Sequence, residues 1–127
     1  MAVSLPYRFM LSGIIFAIVG MALGIWMGTR EDFTYAPVHA HINLVGWASL
    51  FLFGLFYRAT AAAAETTIAS VHFWCALAGA VCLAIGIYGT LTPGSPVAFF
   101  TIPGALLTLA SMLIFLWVVW RAAQRAD

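Results

Sequence analysis

Four long apolar stretches occupy nearly the whole chain, and they restrict what it can fold into. They run from about Phe9 to Met27, Pro37 to Tyr57, Ile68 to Leu91 and Val97 to Trp120. An α-helix needs about 20 apolar residues to cross a bilayer, and each stretch is close to that length. The sequence therefore predicts an all-α integral membrane protein, a bundle of four transmembrane helices that forms a single domain over residues 1–127.

Charged residues are too scarce to coat a water-soluble domain. They make up 7% of the chain, against about 25% in a typical soluble protein. The five arginines form no basic patch and the chain has no lysine, which argues against binding of nucleic acid. Cys75 and Cys82 lie inside an apolar stretch, where a cysteine acts as a small core residue. The lipid bilayer is therefore the predicted partner of most of the surface.

The arginines predict the orientation in the membrane. Positively charged residues collect on the cytoplasmic side of membrane proteins. With both termini cytoplasmic, Arg8, Arg58, Arg121 and Arg125 lie inside and only Arg30 lies outside. Aromatic residues are predicted to mark the two borders. They are Trp26, Phe33 and Tyr35 at the outer border, and Tyr7, Tyr57, Trp117 and Trp120 at the inner one.

Small residues in the first stretch predict a helix-packing face. Gly20, Gly24 and Gly28 recur every four residues, and this spacing lets two membrane helices approach closely. A groove for a flat ligand is the alternative interpretation of the same face. Beyond the second stretch, the alanine run at 61–64 predicts an extension of the third helix into the cytoplasm.

Three histidines, His39, His41 and His72, lie within the apolar stretches. An ionisable side chain is costly in a membrane and is usually functional there. In a helix with about 100° per residue, His39 and His41 point to nearly opposite sides, so one metal ion is not easily bound by both. The alternative for each histidine is a hydrogen bond between helices and no ligand.

Each histidine belongs to its own stripe of a helix. Asn43 shares the stripe of His39 and is placed to orient its ring by a hydrogen bond. The stripes of His39 and His72 contain small residues, which would leave a flat slot for a porphyrin with imidazole as its axial ligand. The three stripes are His39, Asn43, Gly46, Leu50, Gly54 and Tyr57; His41, Val45, Ala48 and Leu52; and His72, Ala76, Gly79, Leu83 and Gly86.

Helix rise places the histidines at two depths. His39 and His41 are expected roughly 10–13 Å outside the bilayer midplane, and His72 roughly 11 Å inside it. They cannot ligate one haem within one protomer, so the sequence predicts an outer and an inner site, or one site and one structural histidine. Further ligands and propionate partners come from residues at the same two levels. At the outer level, the candidate second ligands are Met27 and a histidine of a second copy, and Arg30 is placed to pair with a haem propionate. At the inner level, the candidate second ligands are Met10 and Tyr57, and Arg58 is placed to pair with a propionate.

Three segments carry a resemblance to a known family. The segments 39–47, 53–58 and 71–74 (HAHINLVGW, FGLFYR and VHFW) resemble small four-helix bacterial membrane proteins related to subunit I of haem–copper oxidases. The resemblance implies a haem-binding protein of the bacterial inner membrane that is linked to respiration. A complete subunit I uses more metal-binding histidines than the three of this chain. The resemblance therefore does not imply oxygen reduction by this chain alone.

Two classes of function follow from these observations. The first is a haem b-binding protein that transfers electrons, handles haem or senses the redox state. The resemblance favours His41 as the outer axial ligand, whereas the stripe shared with Asn43 favours His39, and His72 would serve a second haem. The second class is a structural or assembly subunit of a respiratory complex that holds no cofactor. Copper handling through His39, His41 and Met27 is a weaker third alternative.

Neither class requires catalysis by the chain itself. It contains no nucleophile–base pair and no intramembrane carboxylate, so the sequence does not predict an enzyme. Each histidine also lacks an obvious second ligand within the chain. We therefore expect a homo-oligomer or a subunit of a larger complex.

Overall fold

The chain folds into four long helices. The computed structural model describes residues 3–125, and within that range it contains no β-strand. The helices are α1 (Leu5–Arg30), α2 (Ala36–Ala59), α3 (Thr67–Leu91) and α4 (Pro96–Ala123). Each is long and apolar enough to cross a membrane. The predicted four-helix architecture is confirmed, and the protein is a multi-pass membrane protein.

The bundle has two chemically different ends. At one end, which we call the arginine end, the Arg8 guanidinium lies 4.4 Å from the centre of the Phe73 ring, and the Arg58 guanidinium lies 5.3 Å from the Tyr7 ring. At the other end, the loop end, the Tyr35 hydroxyl is hydrogen-bonded to Thr92 Oγ1 at 3.1 Å. The beginning of α1 and the beginning of α3 therefore meet at the arginine end.

Local hydrogen bonds order the first loop at the loop end. Glu31 adopts a left-handed conformation with φ 53° and ends α1. Asp32 accepts hydrogen bonds from Thr34 Oγ1 at 2.6 Å and from Thr34 N at 3.0 Å. These bonds, led by the one from the hydroxyl, lower the pKa of the exposed Asp32 carboxyl. The loop thus reverses the chain between α1 and α2 within a few residues.

The alanine run does not extend the third helix, which corrects the sequence prediction. Ala61–Ala64 forms a separate short helix. Thr66 is extended, with φ −85° and ψ 149°, and its Oγ1 accepts a hydrogen bond from Ala69 N while donating to Ala63 O. Threonine is a good N-cap because its hydroxyl satisfies a free N–H of the first turn. α3 therefore begins at Thr67, and the alanine run packs beside it.

Glycines bring α1 and α2 into close contact. A Cβ added to Gly20 would lie 2.5 Å from Asn43 Nδ2, and one added to Gly24 would lie 2.9 Å from His39 Cε1. Gly20 and Gly24 thus form a packing face, as predicted, and the partner of this face is the His39 stripe of α2. Gly28 is an exception, since a Cβ there would meet nothing within 4 Å. The prediction that all three glycines pack is therefore wrong for Gly28.

A second set of glycines joins α3 to α4. A Cβ added to Gly79 would lie 2.8 Å from Thr108 N, and one added to Gly104 would lie 2.6 Å from Leu83 Cα. Cys75 Sγ donates a hydrogen bond to Leu107 O, and both cysteines are free and half-buried. The flat slot predicted beside the His72 stripe is filled by the backbone of α4. Those small residues serve helix packing.

α2 departs from a regular α-helix in its middle. Residues Ile42–Ser49 form a π-helix between two α-helical segments. Ser49 Oγ donates to Leu44 O at 2.8 Å, five residues earlier. Wide turns of this kind are rare, and they are often found at functional sites. The sequence analysis assumed a uniform α-helix and did not predict this segment, which directly follows His41.

Large apolar side chains cover the outside of the bundle. Ile25, Leu44 and Leu116 are each more than three-fifths exposed. Such exposure suits contact with lipid, because a water-soluble monomer rarely shows apolar patches of this extent.

The sequence predicts that Tyr57 lies at the inner membrane border, and this prediction is wrong. Tyr57 is fully buried in the core and does not mark the inner border, because its ring stacks on Phe9 of α1.

Candidate functional site

The three histidines occupy two levels of the bundle, as the sequence predicts. His39 lies against Gly20 of α1, and His72 lies against Phe9 of the same helix. About 16 Å of helix separates Phe9 from Gly20 at the usual rise per residue. His39 and His41 are thus near the loop end, and His72 is near the arginine end. No single ligand can join His72 to the other two within one protomer.

The ring of His39 is engaged between α1 and α2. Its Nδ1 donates a hydrogen bond to Gly20 O at 2.8 Å. Asn43 Nδ2 donates to the backbone oxygen of His39 at 2.8 Å and lies 3.4 Å from both ring nitrogens. The predicted contact between Asn43 and His39 is therefore present. Its main bond is to the backbone of His39, and the ring is fixed chiefly by Gly20.

The ring of His41 is fixed by its own helix. Its Nδ1 donates to Pro37 O at 2.8 Å, one turn earlier. This bond assigns the proton of the neutral imidazole to Nδ1, so that Nε2 keeps its lone pair. Residues 3–125 provide no hydrogen bond to that Nε2. Leu44 and Leu52, on the same side of α2, are exposed, so this half-buried ring faces outward from the protomer.

The ring of His72 is enclosed by aromatic side chains. It is fully buried, and Phe53, Phe9 and Phe115 have ring centres 4.6, 5.2 and 5.5 Å from it. Its Nδ1 is hydrogen-bonded to the Tyr57 hydroxyl at 3.0 Å, and its Nε2 is buried with no partner among residues 3–125. The Tyr57 contact joins α2 to α3. Because that Nε2 is buried, a porphyrin iron has no access to it in this arrangement.

We expect the bond between Tyr57 and His72 to stabilise the fold. Tyr57→Phe leaves the aromatic packing intact and removes the only hydrogen bond that residues 3–125 give to a fully buried imidazole. The expected loss is about 1–3 kcal/mol in the free energy of unfolding, because a buried polar atom is left unsatisfied. Thermal unfolding in detergent would measure it. Tyr88→Phe is the matched control, since Tyr88 is 43% exposed, and an equal loss in both variants would contradict the prediction.

The remaining candidate residues have other contacts. Met27 is buried in α1, and the Arg30 guanidinium lies over the Trp26 ring at 4.9 Å. Met10 packs where α1 meets Gly54 of α2. Arg58 is exposed at the arginine end, over Tyr7. Only Arg30 and Met27 share the loop-end half of the bundle with His39 and His41.

Among residues 3–125, no three His, Cys, Asp or Glu side chains meet in a group that could hold a metal ion. A copper ion at the outer level would therefore depend on one histidine at a time or on ligands from outside the protomer. The opposite directions of His39 and His41 explain this. One ring is turned into the interface with α1, and the other is turned outward.

Two features of the site escaped the sequence analysis. The aromatic enclosure of His72 uses Phe9 and Phe115, which lie far from it in the chain. The bond from His41 to Pro37 is local, and the four-residue spacing between them is a signal that could have predicted it. No protein-family model, curated protein or solved structure matches the chain.

Proposed function

We propose that the protein binds haem b in the bacterial inner membrane and transfers electrons, with His41 as an axial ligand of the iron. One observation carries the proposal. The Nδ1–H of His41 is held by the Pro37 carbonyl, and the Nε2 lone pair is left without a partner from the described residues. Metal-ligating histidines typically donate their second ring N–H to a carbonyl or carboxylate in this way. The resemblance of segment 39–47 to oxidase-related proteins supports the same assignment.

The proposal is limited to one level of the bundle. The Nε2 of His72, unpartnered among residues 3–125, is buried within a ring of aromatic side chains, where a porphyrin iron cannot reach it. The small residues that follow it on α3 are covered by α4. His41 meets neither obstacle, because its ring is half-buried on an outward side of α2. The residues present therefore fit a haem at the outer level.

A second copy of the chain would supply a second histidine to hold the haem. Met27 is buried inside its own protomer, and His39 is held by Gly20. His41 faces outward beside exposed leucines, so two protomers that pair along this side of α2 would each present one imidazole. Symmetric dimers are the most common oligomers, and they place equivalent residues opposite each other.

Each residue near the proposed site has a separate part. His41 Nε2 would bind the iron, and the Pro37 carbonyl would hold the ring at its Nδ1–H. Leu44 and Leu52 would keep water away from the ring faces. Arg30, at the loop end, would pair with a propionate, for which a guanidinium is well suited. The haem itself would supply a one-electron couple, whose potential depends on its axial ligands and on burial.

Both termini are proposed to lie in the cytoplasm. Arg8, Arg58 and Arg121 belong to one end of the bundle and Arg30 to the other, and arginine favours the cytoplasmic side. In a variant with both native cysteines replaced by alanine, Thr34→Cys should react with a membrane-impermeant thiol reagent added to intact cells. Ala62→Cys should react only after the membrane is broken. The reverse pattern would contradict the orientation.

The absorption spectrum of the purified protein, reduced minus oxidised, tests the function directly. Expression with ample haem should give the sharp bands of a low-spin haem b, with one haem for every two chains. Pairing through His41 further requires a dimer by mass in mild detergent. A monomer that retains all its haem would contradict the shared ligand, and wild-type protein without haem would contradict the function.

A structural or assembly subunit without a cofactor is the second candidate. The observation that favours it is that two of the three histidines bond between helices, His39 to Gly20 of α1 and His72 to Tyr57 of α2. Under this alternative His41 would be bonded only to Pro37, and its variants would be indistinguishable from wild type in every spectroscopic measurement.

A further inference from the structure

We propose that a groove at the arginine end binds one anionic phospholipid of the surrounding bilayer. The groove has a volume of about 380 Å³ and lies between the end of α4 and the segment from Thr60 to Ile68. The site is independent of the histidines and of the proposed haem, because it lies at the opposite end of the bundle from His41.

The floor of the groove is apolar. Ala63 and Ile68 line one side, and Val118 and Ala122 of α4 line the other. The short helix Ala61–Ala64 forms one wall because Thr66 ends it and redirects the chain into α3. Such a floor suits the upper part of the acyl chains of a lipid, which is apolar.

The rim of the groove is positively charged. Arg121, in the last turn of α4, and Arg125, just beyond the end of α4 at Ala123, both line the groove. The Arg121 guanidinium also lies 5.6 Å from the ring of Trp117, a residue type common at membrane borders. No acidic side chain is among the described residues that line the groove.

An apolar floor beneath two guanidinium groups is complementary to a lipid with a net negative headgroup. Arginine binds phosphate in a two-pronged geometry, and its charge is permanent. The hydroxyls of Thr60 and Thr66, on the opposite wall, add hydrogen-bonding groups for the same headgroup. A zwitterionic lipid offers the same phosphate, but its own cation would lie close to the two arginines and reduce the attraction.

The experiment is native mass spectrometry of the full chain in detergent with equal amounts of phosphatidylglycerol and phosphatidylcholine of the same acyl chains. The wild type should retain one phosphatidylglycerol in preference to phosphatidylcholine. Removing both charges with Arg121→Gln and Arg125→Gln should reduce that preference by about 30-fold, since each arginine near anionic lipid contributes about fivefold. The matched control, Arg8→Gln with Arg58→Gln, removes two charges at the same end that do not line the groove, and it should keep the preference.

A third variant separates a defined groove from general attraction to a basic surface. Ala62→Leu keeps both arginines and places a larger side chain on an exposed position of the groove wall. This variant should lower lipid retention. If lipid binding were only a general electrostatic attraction, retention would stay unchanged, and that result would contradict the proposal. The proposal also fails if the wild type shows no preference, if the arginine and control variants behave alike, or if excess inorganic phosphate displaces the lipid.

Discussion

The His41→Ala variant is expected to purify with almost no haem. The variant removes the outward-facing imidazole of His41, whose Nε2 has no partner among residues 3–125, and the Pro37 carbonyl loses the ring that it holds. Changing a group that merely orients a metal ligand costs about 10–100-fold in affinity. Loss of the ligand itself should cost more than about 100-fold. The ratio of haem to protein, read from the absorption spectrum, is the measurement.

His39→Ala and His72→Phe are the matched controls for this result. His39 and His72 are engaged with Gly20 and Tyr57, so these variants are expected to lose stability and to keep most of their haem. Free imidazole added to His41→Ala should restore part of the low-spin spectrum, which a purely structural role would not allow. Retention of haem in His41→Ala, together with its loss in His39→Ala, would transfer the ligand assignment to His39.

The Gly104→Leu variant is expected to disrupt the bundle. A Cβ at this position would lie 2.6 Å from Leu83 Cα, and the obstacle is helix backbone, which cannot rotate away. Overpacking a core typically costs about 1–3 kcal/mol, and a clash with backbone should reach or exceed the upper end of that range. The pair α3–α4 would have to separate along its length, which thermal unfolding in detergent would record as a large decrease in the melting temperature.

Gly28→Leu tests whether this loss arises from packing alone. Gly28 is also helical, but a Cβ there would meet nothing within 4 Å. Leucine has the higher helix propensity, and this variant should match or slightly exceed the wild type in stability. If the two leucine variants were destabilised to the same extent, the close approach of α3 and α4 at Gly104 would not be the cause.

Several features of the candidate site follow from sequence alone because they depend on local spacing. The helical repeat turns His39 and His41 in different directions and brings Asn43 next to His39. Helix rise places His72 at another depth. Local spacing does not predict which of these rings is bonded to or enclosed by another helix. The bond of His39 to Gly20 and the enclosure of His72 by Phe115 require knowledge of the neighbouring helix.

The sequence by itself determined the four membrane spans, because hydropathy and helix length act within each segment and need no partner. It also determined which face of α3 is buried, through the small residues that follow His72. Only the tertiary structure decided what covers that face, since the slot beside Gly79 is filled by Thr108 of another helix. Tyr57 lies in the core for the same reason: Phe9 and His72 reach it from two other helices, and helix pairing in lipid depends on shape more than on hydropathy.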